Sequence, residues 1–197
     1  MKNDLIYQST EYDCGPTTVI NAIRFLFERK EIPPALIKGI WNYCNDTYGD
    51  QGHAGKRGTS KACIRYMATW LTGFGEGYQF PLRAEFAEDE DALVTPGSRT
   101  WQCLEAGGAA LIRCWSDGYG HYVLLTTLLG EKIGLFDPYF EPDDTVMATP
   151  GVVNVHDQPG RMNRIVPVEV INRLDKTDYA MGEIPLRENL LFWRTDK

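Results

Sequence analysis

The chain has 197 residues, with 20 Lys and Arg against 27 Asp and Glu for a formal net charge of −7. Hydrophobic residues make up 43% and charged residues 24%, a globular composition that excludes the disordered class. An acidic chain with no Lys/Arg-rich run has little with which to neutralise phosphates, so nucleic acid is excluded as a main partner and anionic membrane surfaces are disfavoured.

The amino terminus carries Asp4 and no apolar core of a secretory signal. From residue 14 to 29, Val19, Ile20, Ile23, Leu26 and Phe27 recur at helical spacing, with Pro16 in the first turn where its missing N–H costs nothing. A second helix is predicted over about 33–44 on Ile37, Ile40 and Trp41. A third follows a Thr59-Ser60 cap on Cys63, Tyr66, Met67 and Trp70. A Gly-rich loop, 46–58, separates the two.

After an acidic loop at 85–91 and a short helix at 101–105, the pattern changes near residue 108 to short apolar runs bounded by Gly. Residues 109–115, 121–128 and 132–137 read as antiparallel strands, with later strands at 164–171 and 189–193 and a loop over 142–160 between them. Helices first and sheet second predict an α+β domain, with an N-terminal helical half packed on one side of a C-terminal antiparallel sheet. Gly and Pro are spread along the chain and no repeat is present, so residues 1–197 are read as one domain. No apolar stretch approaches the roughly 20 residues needed to cross a bilayer, so no membrane insertion is expected.

Five cysteines without a CxxC pair fit reduced thiols and a cytoplasmic address better than a disulfide framework. Cys14 differs from the others because it opens the first helix, where unpaired N–H groups and the macrodipole favour a thiolate. Gln8, six residues upstream, supplies an amide that with the Cys14 N–H can stabilise an oxyanion. A thiol nucleophile needs a base. Of His53, His121 and His156, only His121 stands at the start of a predicted strand, after Gly118-Tyr119-Gly120; the other two lie in loops.

Asp137, closing the next strand before Pro138, is the candidate acceptor that orients the imidazole. A five-residue connection at 127–131 would put His121 opposite Asp137 on one face, and this register is the one expected. A tight turn at Gly130-Glu131 would instead put Asp137 across from Leu124 on the other face.

These blocks, Gln8-x5-Cys14-Gly15-Pro16-Thr17, Gly120-His121-Tyr122-Val123 and Asp137-Pro138, resemble the bacteriocin-processing (double-glycine leader) cysteine peptidase family of the papain-like superfamily, from about Tyr7 to Pro138. The resemblance implies a papain-like fold, with Cys14 as nucleophile, His121 as general base, Asp137 as orienter and Gln8 as oxyanion donor. The leading expectation is therefore a cysteine peptidase acting on a peptide or protein in extended conformation. The same acyl-enzyme could instead deliver its acyl group to an amine or thiol acceptor, as in phytochelatin-synthase relatives. A non-catalytic module that binds an extended peptide is the third alternative. No metal or other cofactor is expected, since no His, Cys, Asp or Glu pair has ligand spacing and Gly49-x5-Gly55-Lys56-Arg57 departs from a phosphate loop in spacing and context. Cys44, Cys63 and Cys114 read as packing residues, and Cys103 has no apparent partner.

Overall fold

A computed structural model describes residues 3–142 and 148–196, so residues 143–147 of the predicted 142–160 loop lie outside the described residues. The predicted helices form as α1 (Cys14–Leu26), α2 (Pro34–Tyr43) and α3 (Lys61–Tyr78). Ser60 caps α3, its hydroxyl accepting the Cys63 N–H at 3.1 Å. Pro34 occupies the first position of α2, where a missing N–H is free of cost.

Seven strands follow: β1 (Leu82–Glu88), β2 (Ala109–Ser116), β3 (Tyr119–Leu129), β4 (Lys132–Phe136), β5 (Val153–Asn154), β6 (Arg164–Pro167) and β7 (Glu188–Arg194). They form one sheet in the order β1-β7-β2-β3-β4-β6-β5, with every pairing antiparallel. Among the described residues there are two further short α-helices, α4 (Arg99–Glu105) and α5 (Val168–Ile171).

Strand alternation divides the apolar side chains between two cores. Leu82, Ala84, Leu111, Tyr122, Leu124, Phe136, Leu190 and Phe192 pack beneath α1, α2 and α3. Ile112, Cys114, Val123, Leu125, Leu135, Val166 and Leu191 face the other way, against Trp101 and Leu104 of α4 and Val170 and Ile171 of α5. The expectation that the helical part lies on one side therefore holds for α1–α3, while α4 and α5 cover the opposite face.

Three local expectations are corrected. Much of the predicted acidic loop 85–91 belongs to β1, followed by a 3-10 turn at Asp89–Ala92. β1 is an edge strand: Ala84 and Ala87 point inward, while Glu85 pairs with Arg83 and Arg99 and Glu88 with Arg65, a placement of charge that edge strands favour. The predicted strand 164–171 ends at Pro167, which has no N–H to extend the ladder, and the chain turns into α5. Between β3 and β4 the turn is the tight one, with Leu129 paired to Lys132 around Gly130-Glu131 instead of a five-residue connection.

Candidate active site

Cys14 is the first residue of α1 and is buried. The neighbouring glycine has a steric reason, because a Cβ on Gly15 would stand 2.1 Å from Thr59 Oγ1. Thr59 is itself fixed by donating to the Cys44 carbonyl at 2.6 Å, so the helix start rests against the segment that leads into α3. On the sheet side, Thr18 Oγ1 donates to the Tyr122 carbonyl at 3.0 Å. This bond ties the first turns of α1 to the residue after His121.

His121 lies on β3 opposite Cys114, and its Nε2 is 2.7 Å from Asp137 Oδ1. The register that permits this differs from the expected one. A plain ladder from the two-residue turn would put Asp137 on the wrong face, but the pairing shifts between Leu125 and Thr127. The extra residue, Thr126, is held by its single hydroxyl hydrogen, which the Gly134 and Arg161 carbonyls share at Oγ1–O distances of 3.1 and 2.8 Å. Beyond this bulge Leu124 pairs with Phe136, so Asp137 follows beside Val123, on the face of His121 and diagonal to it.

The carboxylate is satisfied on both oxygens. Oδ1 also accepts the Tyr139 N–H at 2.9 Å, and Oδ2 accepts from the Tyr179 hydroxyl at 3.0 Å. Asn163 grips the Asp137 backbone from both sides, accepting its N–H and donating to its carbonyl at 2.8 Å each. Arg164 Nε donates to the Tyr179 oxygen at 3.2 Å. Tyr179 adopts φ +69°, a left-handed conformation uncommon for such a residue. It is held there by exchanging backbone bonds around Trp115, whose carbonyl accepts the Tyr179 N–H and whose N–H donates to Ala180 O, both at 2.8 Å. Sequence reading missed Asn163, Arg164 and Tyr179, which lie 26, 27 and 42 residues beyond Asp137 in no motif (163 − 137, 164 − 137 and 179 − 137).

Burial pulls the His121 pKa down, but the charge and hydrogen bond of Asp137, joined by the influence of the neighbouring Cys14 thiol, outweigh it and raise the imidazole to about 10. Burial pushes Asp137 up, and the His121 charge and hydrogen bond reverse this and hold it below the ordinary carboxylate value. The ring thus has a carboxylate on Nε2, which leaves Nδ1 for the thiol. Such a constellation can move a proton from sulfur to imidazole and on to a leaving group.

Gln8 is brought to the same corner by its backbone N–H, which donates to Pro138 O at 2.8 Å. Its side-chain amide donates to the Thr10 carbonyl at 2.9 Å, and its Oε1 is buried without a hydrogen-bond partner. One of the two amide N–H bonds is therefore engaged locally and the other is not assigned a partner. Among the described residues no group of three or more His, Cys, Asp or Glu could hold a metal ion. Among the described residues, too, no helix is long and apolar enough to cross a membrane.

No family model matches the chain, and no curated protein matches it. Among solved structures it is distantly similar to a double glycine motif protease from an AMS/PCAT transporter, crystallised in complex with the leader peptide. The two are 12% identical with a TM-score of 0.46, over 97% of this chain and 91% of that one.

Proposed function

We propose that the protein is a papain-like cysteine peptidase in which Cys14 is the nucleophile, His121 the general base and acid, and Asp137 the orienting carboxylate. The observation that carries this reading is the buried Nε2–Oδ1 contact of 2.7 Å, on an imidazole whose pKa the nearby Cys14 thiol also raises. His121, raised in pKa by Asp137, holds the proton as the Cys14 sulfur adds to the amide carbonyl. His121 then returns a proton to the departing amine as the C–N bond breaks, leaving a thioester on Cys14. Water, deprotonated by His121, adds to the thioester, and the C–S bond breaks to release the acid and restore the thiol.

The Cys14 N–H at the helix start and the second amide N–H of Gln8 are assigned to the oxyanion that forms on the way.

The test is peptide hydrolysis by the wild-type chain and by Cys14→Ala, with the acyl-enzyme captured by intact mass. Turnover that needs Cys14 and an adduct mapped to it support the reading, and turnover by Cys14→Ala overturns it. Adding amine or thiol acceptors to the same assay separates hydrolysis from acyl transfer. Gln8→Ala should lower kcat by about 10²–10³ with KM nearly unchanged, the usual effect of removing one oxyanion donor.

A further inference from the structure

Arg113 carries a guanidinium nitrogen that is buried without a hydrogen-bond partner. It lies on β2 opposite Tyr122, on the sheet face that α1 covers and where Cys14 packs. Among the described residues its guanidinium makes no hydrogen bond and no ion pair, and its Nη1 is buried without a partner. It is nevertheless held in place. The guanidinium carbon stands 4.8 Å from the Trp115 ring centroid, and a Cβ on Gly120 would meet Nη2 at 2.6 Å. Gly120 immediately precedes His121, and successive Cα atoms are about 3.8 Å apart, so the cation overlies the backbone one residue from the imidazole.

The Lys176 ammonium stands 4.5 Å from the centroid of the same Trp115 ring, so two cations share one aromatic plate in a chain of net charge −7. The β2–β7 register places Glu188 across from Arg113; it is buried, bonded to the Tyr122 hydroxyl, and its pKa is raised by burial while the Arg113 charge opposes that rise. The two form no ion pair within 4.0 Å, and Glu188 Oε2 and Arg113 Nη1 are each buried without a hydrogen-bond partner. A guanidinium that is rigid, half-buried and not hydrogen-bonded to its one facing carboxylate keeps its N–H groups for an oxyanion, which they match in a bidentate fork.

We propose that Arg113, supported by Trp115 and Lys176, is a specificity residue that selects peptides bearing a carboxylate next to the scissile bond. This rests on the peptidase reading above and adds the substrate class. The carboxylate has two possible sources, an Asp or Glu side chain or the free C-terminus of a short leaving segment, and both present the same oxygen pair to the fork.

The experiment uses a defined mixture of decapeptides in which Glu, Gln or Ala occupies each position in turn, with free or amidated C-termini. Cleavage is read by mass spectrometry for the wild type, Arg113→Gln and Arg113→Lys. Equilibrium binding of the same peptides to Cys14→Ala and to Cys14→Ala/Arg113→Gln is measured in parallel. The expected result is that one Glu position, or the free C-terminus, raises kcat/KM by tenfold or more over its neutral counterpart. Arg113→Gln should erase the preference and Arg113→Lys restore part of it, with the advantage shrinking as salt rises. Glu and Gln peptides cut alike by the wild type, or an undiminished Glu preference in Arg113→Gln, would overturn the proposal. The binding arm separates the two ideas: no cleavage of any peptide, with carboxylate-selective binding that Arg113→Gln abolishes, sinks the peptidase reading and leaves the carboxylate site standing.

Discussion

Cys14 is one of five buried cysteines, so burial alone does not single it out; its neighbours do. Burial pushes the Cys103 thiol up to about 12 and raises Cys114, while Cys44 is raised by its hydrogen bond with Cys63 and by burial. Cys114 pairs with His121 across the ladder, but burial and the Asp137 charge hold its thiol protonated, and no imidazole offsets the rise at Cys44 or Cys103. Iodoacetamide near neutral pH should therefore modify Cys14 at least tenfold faster than Cys44, Cys103 or Cys114, as read by peptide mapping. Faster labelling of any of the three would remove Cys14 as nucleophile.

The imidazole pair gives a second expectation at this scale, in stability. His121 is raised from 6.5 to about 10, so its contribution is full below about 6.5 and is lost as pH rises toward 10. Asp137 is lowered from 3.8, so its contribution is present above that value and disappears as pH falls through its folded value. Urea unfolding of the wild type should show stability falling between pH 6.5 and 10, and Asp137→Asn should flatten that decline because the imidazole loses its anion. The same variant should lose about 10²–10⁴ in turnover. Cys14, His121 and Asp137 were legible because reactive side chains at the start or end of a predicted element are few. The grip of Asn163, Tyr179 and Arg164 on Asp137 was not legible, because it is assembled across three segments and by a left-handed tyrosine that no local pattern announces.

At the scale of elements, strands and helices were readable from apolar period, and the register between strands was not. Period says which residues share a face within one strand, but the relation between β3 and β4 depends on the turn and on any extra residue beyond it. Here the turn is two residues long and the bulge at Thr126 compensates for it, bringing Asp137 to the His121 face by a route other than the expected five-residue loop. Similarly, the charges of β1 hid a strand because an edge strand carries them outward, and Pro167 broke a run whose apolar residues suggested a longer one.

Deleting Thr126 tests whether the site needs the bulge itself or only the register beyond it. Thr127–Gly134 would then be followed directly by Leu125–Leu135 and Leu124–Phe136, so the ladder would run without a shift and Asp137 would stay beside Val123 on the His121 face. Turnover and selective Cys14 labelling should therefore be retained. Thr126→Val, which keeps the residue count and removes only the hydroxyl, should also retain most activity and lose about 1–3 kcal/mol of stability, since the Gly134 and Arg161 carbonyls lose the one O–H they share. Loss of turnover in a deletion variant that still unfolds cooperatively would show that the bulge, and not the register alone, aims Asp137.

Across the whole molecule, the site belongs to the centre of a sheet whose strands come from distant parts of the chain. β7 is the last element in sequence and lies between β1 and β2. Leu190 and Phe192 enter the core beneath α1–α3 and Leu191 enters the opposite one, each with no exposed surface. The Asn189 side chain adds bonds to the Ala92 carbonyl and the Thr100 hydroxyl, at 2.7 and 2.8 Å, which pin the start of α4. The resemblance read from the sequence ends at about Pro138, yet β7 backs the strand that carries Cys114, itself paired with His121. Burial of three large side chains is worth roughly 1.5–3 kcal/mol each, comparable in sum with the about 5–15 kcal/mol net stability of a domain. Loss of β7 would also leave β1 without a partner and β2 with a bare edge. A chain ending at Arg187 should therefore lack a cooperative thermal transition and bind a hydrophobic dye, whereas one ending at Arg194 should unfold cooperatively with Cys14 still selectively labelled. Cooperative unfolding of the shorter chain, with wild-type turnover, would show that the sheet carrying His121 is complete without its last strand.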